Sequence, residues 1–119
     1  MHRDEIVMTK SFYADDMDVL LVTLGATTRS GRAAALEARK KGVRAGVLQL
    51  LTIWPFPDKE VAALAEKVRT VIVPEMNYSG QIAGEVQRVL GSGLEIRRVN
   101  SYNGQIITPQ DILKEMPTK

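Results

Sequence analysis

The residue types able to do chemistry gather in three short stretches of this sequence. The first is Gly25-Ala26-Thr27-Thr28-Arg29-Ser30-Gly31, which leads out of an apolar run and into a helical pattern. Helix N-termini attract anions through free N–H groups and the dipole. Thr27, Thr28 and Ser30 would add hydroxyl donors, and Arg29 would add charge. The stretch matches neither a dinucleotide fingerprint nor a Gly-Lys-Ser/Thr phosphate loop. It reads either as a tight turn with Gly25 at its corner and Ser30 as N-cap, or as a phosphate-binding turn. The second stretch is Pro74-Glu75-Met76-Asn77-Tyr78-Ser79-Gly80-Gln81. Glu75 comes directly off a buried apolar run, where a carboxylate needs donors such as a following helix N-terminus. Asn77 or Ser79 can cap that helix, and Gly80 permits close backbone approach. Glu75 either pins its own loop or holds a ligand or a partner subunit. The third stretch is Trp54-Pro55-Phe56-Pro57, which sets two large aromatics on a stiff loop. Trp54 and Phe56 either cap this chain's own core or dock into a neighbour, since aromatics are enriched in interface hot spots.

Other chemistries lack their residues. There is no cysteine, hence no thiol nucleophile, disulfide, thiolate metal site or iron–sulfur ligand. The one histidine, His2, sits at the chain start, away from any folded body. The net charge of +2, from 16 basic and 14 acidic residues, is too small a surplus for a nucleic-acid field. The Arg39-Lys40-Lys41…Arg44 cluster reads as a solvated helix end. No apolar run approaches the roughly 20 residues of a membrane span, and the N-terminus lacks the design of a signal peptide. These readings predict a cytoplasmic chain with no nucleic-acid and no membrane partner. They also predict no catalytic residue and no metal site in the chain itself.

Strands and helices alternate along the sequence and so position these loops. Val19-Leu20-Leu21-Val22-Thr23-Leu24 reads as a strand buried on both faces, ending at Gly25. A helix is predicted over residues 30–41, with Gly31, Ala34, Ala35 and Ala38 forming a small-residue face and Gly42 as its stop. Strands follow over 43–51, 70–73 and 94–100, the last less apolar and nearer an edge. Helices are predicted over 58–68 and 79–90, with the chain turning after Pro74 and again at Asn103-Gly104. Thr108 as N-cap, Pro109 at N1 and Asp111 at N3 open a last helix. Residues 5–10 supply a short extra strand and residues 11–17 a polar connector. Residues 18–119 form the body, so that the 119 residues make one α/β domain with enough apolar material for a core. In such sheets ligands and partners meet the C-terminal ends of strands.

Taken with these motifs, the chain resembles the C-terminal transketolase-like domain (domain II) of the α subunit of 2-oxoacid:ferredoxin oxidoreductases. The resemblance runs through Val22-Thr23-Leu24-Gly25, Gly42-Val43-Arg44-Ala45-Gly46-Val47-Leu48 and Trp54-Pro55-Phe56-Pro57. It is sharpest at Glu75-Met76-Asn77-Tyr78-Ser79-Gly80-Gln81 and closes with Gly104 and Thr108-Pro109-Gln110-Asp111-Ile112. It implies a three-layer α/β/α domain with a mixed five-stranded sheet in the order 1-3-2-4-5, strand 1 being antiparallel. The loops at Gly25–Ser30 and Glu75–Gly80 would then flank one switch-point crevice. The full family enzyme converts a 2-oxoacid and coenzyme A to acyl-CoA and carbon dioxide, passing electrons to ferredoxin. The resemblance places thiamine diphosphate, Mg and iron–sulfur clusters elsewhere in the complex. The implied partners are a pyrimidine-binding domain of the same subunit and the β subunit, with ferredoxin and CoA at the level of the complex. No catalytic residue carries over. The contrasting reading of the same loops is a stand-alone small-ligand module for a nucleotide or CoA. On either reading Gly25, Thr27, Thr28, Ser30, Trp54, Phe56, Glu75, Asn77, Gly80 and Gln81 are the candidate contacts.

Overall fold

The computed structural model describes residues 9–13, 15–25, 27–51, 58–75, 82–91, 93–100 and 107–116. Its elements are β1 (Thr9–Phe12), β2 (Val19–Leu24), α1 (Thr27–Lys40), β3 (Ala45–Leu50), α2 (Asp58–Ala65), β4 (Thr70–Glu75), α3 (Ile82–Leu90), β5 (Glu95–Asn100) and α4 (Pro109–Leu113). The sheet order is β1-β3-β2-β4-β5. β1 runs antiparallel to β3, with Thr9 opposite Leu50. The β2–β3, β2–β4 and β4–β5 pairs are parallel. This is the mixed five-stranded sheet expected from the resemblance.

Two apolar layers sandwich the sheet. Alternate residues of a strand face opposite sides, so Leu20 and Val22 of β2 meet Val61 of α2 and Ile82, Ala83 and Val86 of α3. Val19 and Leu21 point the other way, to Ala34, Ala35 and Ala38 of α1 and Ile112 of α4. The unbroken apolar run of β2 thus reflects burial on both faces. β5 lies at an edge, and its exposed Glu95 and Arg98 explain its weaker apolar pattern.

α1 ends in a Schellman motif. Gly42 takes φ +90°, its N–H donates to Arg39 O at 3.1 Å, and Val43 N–H donates to Ala38 O at 2.9 Å. Gly91 closes α3 with φ +67°. α4 opens on the expected capping box, Thr108 to Asp111 with Pro109 between.

The structure corrects several boundaries. The edge strand, described at Thr9–Phe12, runs past residue 10, so Ser11 and Phe12 belong to the sheet and not to the connector. Residues 1–8 fall outside the described residues. α1 begins at Thr27, earlier than the residue-30 start, which moves Ser30 from the N-cap into the helix. β3 begins at Ala45, because Val43 and Arg44 are taken up in closing α1 and leading in. β4 continues two residues past its expected end at Val73, with Pro74 opposite Val99 and Glu75 opposite Asn100 on β5, and the expected turn beyond it lies outside the described residues. Proline is tolerated in a strand where its missing N–H faces an unpaired side, and β4 has such a side here.

Candidate functional site at the sheet switch point

The order β1-β3-β2-β4-β5 reverses direction between β2 and β4, which is where open α/β sheets form a crevice. The register shows where the β2–β4 ladder ends at this point. β2 pairs with β4 at Val19↔Thr70, Leu20↔Val71 and Leu21↔Ile72, and among the described residues the ladder goes no further. β2 stays paired with β3 through Leu24↔Leu50, and β4 with β5 through Glu75↔Asn100. Residues 22–24 and 73–75 therefore run on side by side without hydrogen-bonding to each other. Pro74 has no N–H to offer across this split.

On the β2 side, Gly25 takes φ +61°, with nothing within 4 Å of a Cβ built there, so the turn needs glycine for its backbone angle. Thr28 N–H donates to Gly25 O at 3.0 Å. Thr27 locks the strand-to-helix turn: its Oγ1 accepts from Leu24 N–H at 3.1 Å and donates to Leu24 O at 2.9 Å. Thr28 Oγ1 lies 2.9 Å from Thr23 Oγ1, and Thr23 Oγ1 donates to Leu48 O at 3.4 Å. Ser30 Oγ donates to Ile107 O at 2.6 Å. With Thr28 donating to Thr23, each of these four hydroxyl hydrogens has a protein acceptor. The hydroxyls that the phosphate-binding reading would turn toward an anion are turned into the fold, and Thr27, Thr28 and Ser30 are buried. Arg29 remains exposed beside them.

Thr23 was not among the sequence candidates, although it anchors the cluster and is fully buried. The available signal was a single hydroxyl inside an apolar strand, which needs a partner once buried. Gly31 sits against it: a Cβ there would lie 2.9 Å from Thr23 Cγ2. The small-residue face of α1 is thereby explained as close approach to the sheet.

The structure brings Gly25, Thr27, Thr28 and Ser30 together at one end of α1. The backbone of Glu75 ends β4 on the other side of the split. Trp54, Phe56, Asn77, Gly80 and Gln81 lie outside the described residues, as does the expected turn at Asn103-Gly104. Among the described residues no group of three or more His, Asp or Glu could hold a metal ion, and no helix is long and apolar enough to cross a membrane.

The charged groups form staples. The Arg39 guanidinium, hydrogen-bonded to Asp16 at 2.9 Å, holds that carboxyl below its ordinary pKa despite opposing desolvation. Asp18 engages Arg44 through two bonds of 3.0 Å and raises the guanidinium's pKa. Asp58 first, then Glu85, do the same for Arg88, tying α2 to α3. Asp111 is lowered by the Thr108 N–H it accepts.

Residues 17–112 match the family model described as pyruvate:ferredoxin oxidoreductase core domain II. The chain is 40% identical over 115 residues to the 2-oxoglutarate synthase subunit KorA of Methanothermobacter marburgensis, covering 97% of this chain and 30% of that subunit. The chain therefore spans less than a third of this relative's length. Among solved structures, the 2-oxoglutarate:ferredoxin oxidoreductase of Magnetococcus marinus superposes with a TM-score of 0.80 at 22% identity, over 93% of this chain and 19% of that one. A split-gene transketolase, an inactive β4 tetramer, gives a TM-score of 0.76 at 19% identity, over 88% of this chain and 39% of its own. At those identities the two structures speak to the fold.

Proposed function

Because this chain belongs to the pyruvate:ferredoxin oxidoreductase core domain II family, we propose that it is a non-catalytic packing domain of an α subunit. The enzyme would be a cytoplasmic, thiamine-diphosphate-dependent 2-oxoacid:ferredoxin oxidoreductase. The reaction joins a 2-oxoacid, CoA and oxidised ferredoxin to give acyl-CoA, carbon dioxide and reduced ferredoxin. Thiamine diphosphate supplies the carbanion chemistry of such enzymes. In this reading it is held, with Mg and the iron–sulfur clusters, elsewhere in the complex, and the partners of this domain are the pyrimidine-binding domain of the same subunit and the β subunit. The domain's own part is to present a rigid sheet edge and loops to those neighbours.

One observation carries the reading: nearly the whole chain aligns at 40% identity with a stretch amounting to 30% of a 2-oxoglutarate synthase subunit. The engaged hydroxyls of Thr23, Thr27, Thr28 and Ser30 support a structural role for the β2–α1 turn. The test is complementation. The chain is mixed with the cognate β subunit and the remainder of the α subunit. CoA-dependent reduction of ferredoxin is then followed across a panel of 2-oxoacids. The chain alone is expected to turn over nothing, and its omission to abolish the activity of the mixture. Turnover by the chain alone, or full activity without it, refutes the proposal.

The split between β2 and β4 beyond Leu21 and Ile72 favours a second reading, a small-ligand module for a nucleotide or CoA. NMR titration with phosphate-bearing ligands decides it. Movement of the amides of Gly25, Thr28 and Val73 supports this reading, and unmoved amides end it.

A further inference from the structure

We propose that the free edge of β1, together with the groove between it and α1, docks an extended acidic segment of a partner protein. The inference stands on this surface alone and does not depend on the family reading. β1 is the first strand of the sheet and, among the described residues, pairs only with β3. An antiparallel edge strand directs alternate N–H and C=O groups outward, ready for strand addition.

The charge beside that edge is one-sided. Arg29 and Arg32 are exposed on α1 and line a groove of about 430 Å³ with Phe12, Tyr13 and Leu36. Arg32 lies 4.2 Å above the centre of the Phe12 ring, which fixes a guanidinium in place without neutralising it. Lys10 is exposed two positions before Phe12 and shares its face of the strand. Among the described residues neither Arg29 nor Arg32 has a carboxylate partner. Glu37, the acidic residue of α1, bonds Lys40, and Asp16 bonds Arg39.

This arrangement selects its occupant. A second copy adding β1 to β1 would bring Lys10 and its neighbouring arginines against the same cations, which is destabilising. A strand with carboxylates at alternate positions would set them all on the α1 side, over Lys10, Arg29 and Arg32. Glutamate at those positions would also lay its methylenes on Phe12 and on Leu36, which is 46% exposed despite its size.

The test uses the full chain and a synthetic peptide of alternating Glu and Val, followed by NMR. Expected are shifts over residues 10–12, slowed exchange at those of their amides that face away from β3, and shifts at Arg29 and Arg32. Binding should weaken roughly tenfold for the Gln-for-Glu peptide and for the Arg29→Glu/Arg32→Glu variant. A Lys-for-Glu peptide should recover binding to that variant. If charge reversal lowers the melting temperature, Arg29→Gln/Arg32→Gln replaces it. Equal binding of the Gln peptide overturns the proposal. So does inorganic phosphate reproducing the arginine shifts while the β1 amides stay unchanged, or concentration-dependent dimerisation that shifts the same residues.

Discussion

Ser30 Oγ donates a 2.6 Å hydrogen bond to the carbonyl oxygen of Ile107, joining the first turns of α1 to the lead-in of α4 across 77 residues of sequence. Ile107 is 2% exposed, so its carbonyl has little access to water. Ser30→Ala should leave that carbonyl without this donor and cost about 1–3 kcal/mol. The urea midpoint is expected to fall with an unchanged slope. A loss below about 0.5 kcal/mol would mean that water replaces the hydroxyl.

Gly31 sets propensity against packing. Alanine at an open helical position would stabilise by about 1 kcal/mol. Here its Cβ would stand 2.9 Å from Thr23 Cγ2, inside a buried layer. Overpacking of this kind costs about 1–3 kcal/mol, so Gly31→Ala is expected to destabilise. Adding Thr23→Ser removes the offending methyl and keeps the hydroxyl that bonds Thr28 and Leu48. The double variant should therefore recover stability relative to Gly31→Ala. A stabilised single variant would show that α1 does not approach the sheet so closely.

These two residues show what a sequence discloses. The small-residue face of α1 was legible because Gly31, Ala34, Ala35 and Ala38 recur at helical spacing, and it is the face that packs on the sheet. Gly42 and the cap from Thr108 to Asp111 were legible because local chemistry governs helix ends. The buried run of β2 announced a central strand. The sheet order came through the family resemblance, since strand adjacency is set by tertiary packing. The partner of Ser30 was hidden for the same reason: a serine before a helical pattern reads as a cap, and only the arrival of α4 gives it a carbonyl to bond. The switch point was approached by topology alone, because the residue at which the β2–β4 ladder ends depends on register.

Arg39 binds three parts of the chain at once. It donates to Ala45 O at 3.0 Å, to Tyr13 O at 2.6 Å and to Asp16 Oδ1 at 2.9 Å. Tyr13 carries φ +60°, an unfavourable angle for a side chain of its size, immediately after β1. The guanidinium fork offsets that strain by holding the carbonyl from the α1 side. Lysine keeps the charge but not the fork, so Arg39→Lys should cost about 1–2 kcal/mol through the lost backbone bonds. Amide exchange at Ser11 and Phe12 should accelerate more than exchange in β2. Uniform acceleration across the sheet would show that Arg39 serves global stability and not the edge.

The α4 cap gives a dependence on pH with a definite sign. Asp111 accepts from Thr108 N–H at 3.0 Å, and Thr108 Oγ1 accepts from Asp111 N–H at 3.2 Å. The backbone bond is the larger cause of the lowered Asp111 pKa, and the Thr108 side chain is the next. A carboxyl lowered on folding contributes stability that is fully present above its unfolded value of about 3.9. That contribution is lost as pH falls through the lower folded value. Asp111→Ala should therefore destabilise at about pH 6, and the effect should shrink as pH falls through the folded value. The two causes separate by mutation. Thr108→Ala removes the side chain alone, whereas Thr108→Pro also removes the donated N–H, at a φ of −93° that lies near the proline range. Followed through its carboxyl carbon, Asp111 should titrate lowest in the natural chain, higher in Thr108→Ala and highest in Thr108→Pro. Equal midpoints in the two variants would transfer the main role from the backbone N–H to the hydroxyl.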